Sequence, residues 1–293
     1  MHAMATSELE LAIKPSLSPS ELGDVGALVR EANWNQLAAD WRIFIERGRV
    51  HVAQTATGRI VATTATLPYG GRFAWISMVL VAGTYRRQGL ATRLLRRAID
   101  ELAAAGLVPI LDATPDGHAV YRRLGFEDAW GFHRLVRREP RPATFPAPAG
   151  VTIRPIADDD WPALCAYDAL AFGAERSAVL AGLRGRLAAA ELVVEREGRI
   201  AGFSLGRDGG LAAHVGPLIA DDDAIACALA ARALDGIDGP VFIDLADAKA
   251  EVRSFLDARG VAVARPFTRM LKGSSTRFDD AVRTFAVVGP EFG

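Results

Sequence analysis

The sequence is poor in cysteine, and this limits the classes of site it can build. Only Cys165 and Cys227 occur among 293 residues, so a disulfide framework is excluded. Neither cysteine has the His or Cys companions of a metal site, and no metal is expected. Because free cysteines are among the most buried residue types, we expect both to be small core residues.

The sequence also lacks long apolar runs and an excess of one charge. No run of about 18 apolar residues occurs, and the opening "MHAMATSELE" has no signal-peptide pattern. We therefore expect a cytoplasmic protein without membrane association. The 34 Lys plus Arg residues balance 35 Asp plus Glu residues. Because no global basic field exists, no nucleic-acid partner is expected, and any anion site must be local.

A Pro- and Ala-rich stretch, "REPRPATFPAPAG" at 138–150, is the best linker candidate. Short motifs repeat on either side of it, which favours two related domains at 1–137 and 151–293. The paired motifs are "IKP" (13–15) with "IRP" (153–155), "GRI" (58–60) with "GRI" (198–200), and "GFHRL" (131–135) with "PFTRM" (266–270). The offset falls from 140 to 135 residues along the chain, so the second copy lacks about five residues.

The hydrophobic pattern of the first copy predicts alternating strands and helices. Together they predict a mainly antiparallel sheet followed by one β-α-β crossover. The predicted strands are 10–14, 49–54, 59–67, 73–81, 108–113 and 130–136, and the predicted helices follow Ser18 or cover 36–47, 89–105 and 117–124.

A cationic turn, "RRQGLA" at 86–91, separates a strand from a helix whose apolar face repeats at helical spacing. The residues expected on that face are Leu90, Leu94, Leu95, Ala98, Ile99 and Leu102. Helix N-termini favour anions, Gly89 lets the backbone approach one closely, and small Ala91 leaves room. The turn matches neither the Walker nor the Rossmann glycine pattern. It therefore predicts a different kind of pyrophosphate site.

The spacing Arg86-x-x-Gly89-x-Ala91 after the strand "ISMVLV", followed by "VYRRLGF" at 120–126, resembles the GNAT superfamily of acyl-CoA-dependent N-acetyltransferases. The chain is similar to tandem members with a degenerate C-terminal half. The resemblance implies an α+β (α/β) fold of two tandem GNAT-like domains, each a mixed, mostly antiparallel sheet flanked by helices.

In that family the loop amides hold the pyrophosphate of acetyl-CoA, and the preceding strand offers backbone groups to the pantetheine. The cofactor-binding residues so implied are Val79, Leu80, Val81, Arg86, Arg87, Gln88, Gly89, Leu90, Ala91, Thr92 and Arg123. The resemblance makes Tyr121 the proton donor to the departing thiolate. The general base stays open between a water chain and several carboxylates or a histidine. These candidates are Glu31, Asp40, Glu46, Asp112, Asp116, His118 and Asp128.

In the second copy Tyr121 aligns with Leu256, and the cationic turn becomes "ADDDAIA" at 220–226. Three acidic residues would repel phosphate, so we expect this half to have lost its CoA site. The polar and aromatic residues of this half either close the acceptor pocket, or recognise the acceptor, or form structural ion pairs. They are Asp168, Phe172, Arg176, Arg207, His214, Asp244, Arg265 and Arg269. The acceptor-site candidates of the whole chain are Trp34, Asp40, Asp168, Arg176 and Arg269.

The expected activity is acetyl transfer from acetyl-CoA to a primary amine of a small molecule or peptide, by direct attack in a ternary complex. Two alternatives remain open, namely transfer of a longer acyl chain and an acyl-CoA sensor without turnover.

Overall fold

A computed structural model describes residues 9–142, 145–274 and 276–293. The chain forms two compact units, Met1–Pro109 and Ile110–Gly293. Ala143 and Thr144 of the predicted linker lie outside the described residues. No helix among the described residues is long and apolar enough to cross a membrane.

The first unit contains an antiparallel sheet in the order β1-β2-β3-β4, with helices before and after its last three strands. Its strands are β1 (Glu10–Lys14), β2 (Arg49–Gln54), β3 (Ile60–Tyr69) and β4 (Phe73–Val81), and its helices are α1 (Pro19–Glu31), α2 (Ala38–Arg47) and α3 (Leu90–Ala104). These bounds confirm the predicted elements to within about two residues.

Local signals explain where these helices begin. Ser18 caps α1, accepting from the Glu21 N–H while the Glu21 side chain accepts from the Ser18 N–H, and Pro19 occupies the first helical position. The six apolar residues predicted for one face of α3 are its buried residues. The burial of that face fixes the helix that follows the cationic turn.

The second unit contains a longer sheet in the order β5-β12-β6-β11-β13-β10-β9-β8-β7, in which β10 and β11 are parallel and the other pairs antiparallel. Its strands are β5 (Val108–Ala113), β6 (Phe126–Arg137), β7 (Val151–Pro155), β8 (Leu192–Arg196), β9 (Arg199–Arg207), β10 (Ala213–Ala220), β11 (Val241–Ala246), β12 (Ala262–Lys272) and β13 (Thr284–Ala286). Its helices are α4 (Pro115–Arg123), α5 (Trp161–Phe172), α6 (Ser177–Ala181), α7 (Asp223–Asp235) and α8 (Ala250–Asp257). The main core packs α7 against the sheet.

The two sequence copies exchange their last strands in this sheet. Strand β12 of the second copy pairs with β5 and β6 of the first, while β6 also pairs with β11 of the second. This pairing explains why the compact units divide at Pro109 rather than at the predicted linker, 138–150. The two related domains at 1–137 and 151–293, which the repeat indicates, remain a prediction.

One expectation about the core is corrected. Cys227 is buried, whereas Cys165 is only half-buried. Cys165 lies beside the buried stripe of α5, which includes Leu164 and Asp168. A small apolar side chain at the edge of a helix face keeps partial contact with water.

Candidate functional site

The cationic turn ends in a helix start whose backbone N–H groups lack helical partners. The first α-helical hydrogen bond of α3 runs from the Arg93 N–H to the Gly89 carbonyl oxygen, at 3.0 Å. Helical residues before it have no such acceptor, as at every helix N-terminus. Residues 86–89 are exposed. Within the part of the chain that the structure describes, the turn therefore presents unpaired donors at the positive end of a helix dipole.

Two residues of this turn have left-handed backbones, Arg87 with φ 62° and Gly89 with φ 76°. Turns of this kind curl the chain so that successive N–H groups converge on an anion. A Cβ added at Gly89 would meet no atom within 4 Å. The space beside Gly89 is thus open to a ligand, and the residues present fit a bound pyrophosphate.

Arg86 and Glu31 hold the turn in place. Glu31 Oε1 accepts from the Gly83 N–H at 2.6 Å and from Arg86 Nη2 at 3.2 Å, and Arg86 Nε donates to the Val81 carbonyl at 3.0 Å. The guanidinium of Arg86 is therefore engaged within the protein. Glu31, a candidate base in the sequence, braces the turn from the end of α1.

A β-bulge lies just before the strand end that the sequence assigned to the pantetheine. Met78 has a φ of 52°, the β3–β4 register shifts beside it, and Thr63 Oγ1 donates to the Met78 carbonyl at 2.7 Å. Val79 and Val81 are half-buried and Leu80 is buried. The bulge redirects the backbone of these residues, as bulges next to active sites do. The nearly continuous apolar run of β4 gave no signal for it.

Tyr121 lies in the second unit, on α4. Its ring packs over Gly117, where an added Cβ would approach Cε2 to 2.8 Å, and against Phe126 at a centroid distance of 6.2 Å. Burial raises the pKa of Tyr121 to about 12. Within the described ranges the Tyr121 hydroxyl forms no hydrogen bond. A protonated, uncommitted hydroxyl is suited to donate to a ligand atom. Arg123 is exposed on the same helix.

Most candidate bases already have protein partners. The buried Asp40 accepts from the Leu37 N–H at 2.7 Å and caps α2. Asp112 forms a bidentate pair with Arg269 at 2.8 and 2.9 Å. His118 pairs with Asp128 at 2.8 Å. Glu46 and Asp116 are exposed, and Trp34 is half-buried in the α1–α2 connection. In the described part of the chain, no group of His, Cys, Asp or Glu side chains could hold a metal.

In the second copy, the helix start equivalent to the turn is closed by the protein's own carboxylate. Asp222 accepts from the Ile225 N–H at 2.9 Å and pairs with Arg196 at 2.8 Å. Asp221 accepts from Arg283 at 3.1 Å. The anion that a helix N-terminus favours is therefore supplied by the chain.

The strand gap of this second copy is also filled. Parallel strands β10 and β11 pair from Ala213 to Val215 and then separate, and β13 pairs with both where they have parted. Leu218 and Leu245 both lie opposite Ala286. Leu256, the residue at the position of Tyr121, is fully buried.

The polar residues of the second copy form internal ion pairs. Arg176 makes a bidentate pair with Asp168, at 2.8 Å for each contact, and donates to the Gly293 carbonyl at 2.8 Å. Its guanidinium lies 3.9 Å from the Phe172 ring centroid. Arg207 pairs with Glu291. Asp168 and Arg176 are both buried, which favours the structural alternative for them over contact with an acceptor.

Two family models match the chain, together over more than half of its length. The model described as "Acetyltransferase (GNAT) family" matches residues 21–126, and the one described as "Acetyltransferase (GNAT) domain" matches residues 164–286. The chain belongs to the GNAT acetyltransferase family. It is a tandem GNAT protein and an acyltransferase. The first matched range contains both the turn and Tyr121.

Similar proteins agree with this assignment. An uncharacterized N-acetyltransferase of Bacillus subtilis (strain 168), YitH, is 28% identical over 224 residues, which cover 74% of this chain and 76% of YitH. A candidate acetyltransferase from Pyrococcus horikoshii shares the fold, with a TM-score of 0.76, 19% identity and coverage of 100% and 99% of the two chains. A tandem GNAT protein from the clavulanic acid biosynthesis pathway matches with a TM-score of 0.64 and 15% identity. The match covers 92% of this chain and 100% of that protein.

Proposed function

We propose that this GNAT protein transfers an acetyl group from acetyl-CoA to a primary amine of a small molecule or peptide, by direct attack in a ternary complex. The observation that carries the proposal is the open turn at 86–92, with its unpaired N–H groups at the start of α3. Acetyl-CoA would supply an acetyl group activated as a thioester.

In this proposal the N–H groups of residues 87–92 bind the pyrophosphate. A hydrogen bond to a charged group contributes about 1.5–3 kcal/mol. Three or four such bonds reach the roughly 8 kcal/mol of a micromolar complex. The Glu31–Arg86 brace keeps the turn in the binding conformation, and Arg87, which is exposed in the same turn, is a cation available to the phosphates. Val79, Leu80 and Val81 offer backbone groups to the pantetheine.

Tyr121 acts at the sulfur atom of the leaving group. Its pKa of about 12 keeps the hydroxyl protonated at any physiological pH. It therefore donates a hydrogen bond to the thiolate as negative charge develops there. In this proposal a water chain removes the amine proton, because the carboxylates of Asp40, Glu31 and Asp112 already accept hydrogen bonds from protein groups.

The second copy binds no CoA in this proposal. Its helix start is neutralised by Asp222 and its strand gap is occupied by β13. One acetyl-CoA is therefore bound per chain.

Thiol release from acetyl-CoA, measured across a panel of amines, tests the proposal. We expect amine-dependent thiol release together with a product heavier by one acetyl group in the mass spectrum. Octanoyl-CoA in parallel reactions tests a preference for longer chains. Binding of acetyl-CoA without thiol release for any amine would instead support the sensor alternative.

A further inference from the structure

Six side chains form an arginine–aromatic stripe on strands β6 and β12 of the second unit. Trp130, Phe132 and Arg134 of β6 lie opposite Arg269, Phe267 and Arg265 of β12 respectively. Residues two apart on a strand point to the same face, so the six side chains share one face of the sheet.

The aromatic rings form a floor beneath the guanidinium groups. Phe132 and Phe267 stack with centroids 5.0 Å apart. The Arg265 guanidinium lies 4.8 Å from the Phe267 centroid, and the Arg269 guanidinium lies 4.4 Å from the Trp130 centroid. Stacking of this kind fixes the plane of a guanidinium while leaving its N–H groups free to bind an anion.

Two arginines of the stripe have carboxylate partners, and the third has none among the described residues. Arg269 pairs in bidentate geometry with Asp112, and Arg134 does so with Asp244 at 2.7 and 2.8 Å. Arg265 is half-buried, and within the described ranges its guanidinium forms neither an ion pair nor a hydrogen bond.

The charged groups around Arg265 leave one positive charge uncompensated. Arg134, Asp244 and Glu291 are its charged neighbours. Asp244 is bound to Arg134, and Glu291 is paired with Arg207. Burial lowers the pKa of His214, which lies beside Asp244, and so favours its neutral form. Around Arg265, the three arginines Arg134, Arg207 and Arg265 therefore face the two carboxylates of Asp244 and Glu291. A half-buried cation without a counter-ion is unfavourable, so the site is built to take an anion of one charge.

On the side of β5, the edge of β12 at Arg265 has no strand partner among the described residues, and residues 262–264 and 266 are exposed. Strand β5 pairs with β12 only from Ile110 to Ala113, and Ala113 lies opposite Thr268. Residues 262–267 of β12 therefore extend past the end of β5. Thr114, the residue after β5, caps α4, the helix that carries Tyr121. The unpaired edge of β12 therefore begins next to the point where β5 leads into that helix.

We infer that Arg265 binds a carboxylate of the acceptor, and that the acceptor is an amino acid or another amine with one nearby carboxylate. The inference rests on the proposed acetyl transfer. A guanidinium matches a carboxylate with two parallel hydrogen bonds, and one net positive charge suits a carboxylate better than a phosphate.

The test compares the twenty standard α-amino acids with their α-carboxamides as acceptors, using acetyl-CoA and mass detection of the acetylated product. We expect the best acids to exceed their amides about 10- to 100-fold in kcat/KM, mainly through KM. Arg265→Met should remove this preference by slowing the acids alone, and Arg265→Lys should keep part of it. Arg232→Met, at an exposed arginine of the same unit, is the control and should match the wild type.

Equal use of acids and amides, acetylation of amines without a carboxylate only, or an equal loss on both series in Arg265→Met would overturn the inference. Failure to acetylate any amine would refute the proposed function instead.

A melting experiment without ligand then still tests Arg265. An uncompensated cation predicts that Arg265→Met melts at or above the wild-type temperature. A drop of several degrees would mean that Arg265 serves as a structural ion-pair partner, of Glu291 for example, and would overturn the inference.

Discussion

Replacement of Tyr121 by phenylalanine tests how the hydroxyl acts. The side chain has a pKa of about 12, whereas an alkyl thiol has one of about 8.5. Complete proton transfer from Tyr121 to a free thiolate would therefore be uphill by about 3.5 pKa units, or about 5 kcal/mol. A hydrogen bond to the developing thiolate is the favourable interaction, contributing about 1.5–3 kcal/mol.

We expect Tyr121→Phe to lower kcat about 10- to 150-fold, because each 1.36 kcal/mol is a factor of ten in rate. The KM for acetyl-CoA should stay within about twofold, since the hydroxyl acts only as charge develops on sulfur. Because Tyr121 stays protonated up to about pH 12, its deprotonation should not lower the wild-type kcat as the pH rises from 6 to 10. Stopped or continuous thiol-release assays over that range measure both quantities.

Tyr167→Phe is the matched control. The Tyr167 hydroxyl donates to the Ala201 carbonyl at 3.1 Å and lies 3.0 Å from Asp221 Oδ1, so its removal should lower stability by about 1 kcal/mol without slowing turnover. Tyr121→Phe should leave stability unchanged, because no protein hydrogen bond is lost. A kcat of Tyr121→Phe equal to that of the wild type at every pH, or a wild-type fall near pH 8–9 that Tyr121→Phe abolishes, would refute the reasoning.

Three further predictions concern the brace, the second copy and acid stability. Glu31→Ala should weaken acetyl-CoA binding about 3- to 10-fold by titration calorimetry, because the turn loses its contacts to Gly83 and Arg86, both partly screened by solvent; unchanged affinity would exclude a bracing role. Asp222→Ala should lower the free energy of unfolding by about 1 kcal/mol through loss of a helix cap, with binding still at one acetyl-CoA per chain; a second bound molecule would contradict the filled gap. His214 has a lowered pKa in the folded state, so its contribution to stability is present above about pH 6.5 and is lost as the pH falls, by up to about 1.4 kcal/mol per unit. Urea unfolding at pH 7.5 and 5.5 should show this loss, and His214→Asn should reduce it.

The sequence predicted the parts of the fold that local patterns determine. The apolar spacing of residues 90–102 identified the buried face of α3, and Ser18 with Pro19 identified the start of α1. The motif Arg86-x-x-Gly89-x-Ala91 identified the turn and its family, because that turn needs a left-handed residue where glycine stands.

Features that depend on distant contacts were not predictable. The bulge at Met78 depends on the buried Thr63 of the neighbouring strand, and an apolar strand pattern carries no record of it. The strand exchange depends on which edges meet after folding, and the repeat in the sequence is equally compatible with two separate sheets. The brace was missed because Glu31 lies more than fifty residues from the turn that it holds.

The binding of acetyl-CoA to the turn is measured most directly by titration calorimetry with Gly89→Asp and Gly89→Asn. Both side chains tolerate the left-handed backbone at this position and enter the same open space, so the two variants differ by one negative charge. We predict one acetyl-CoA per wild-type chain at micromolar Kd, about tenfold or less weakening in Gly89→Asn, and at least 100-fold weakening in Gly89→Asp. Equal affinity of the two variants would contradict the placement of the pyrophosphate at this turn.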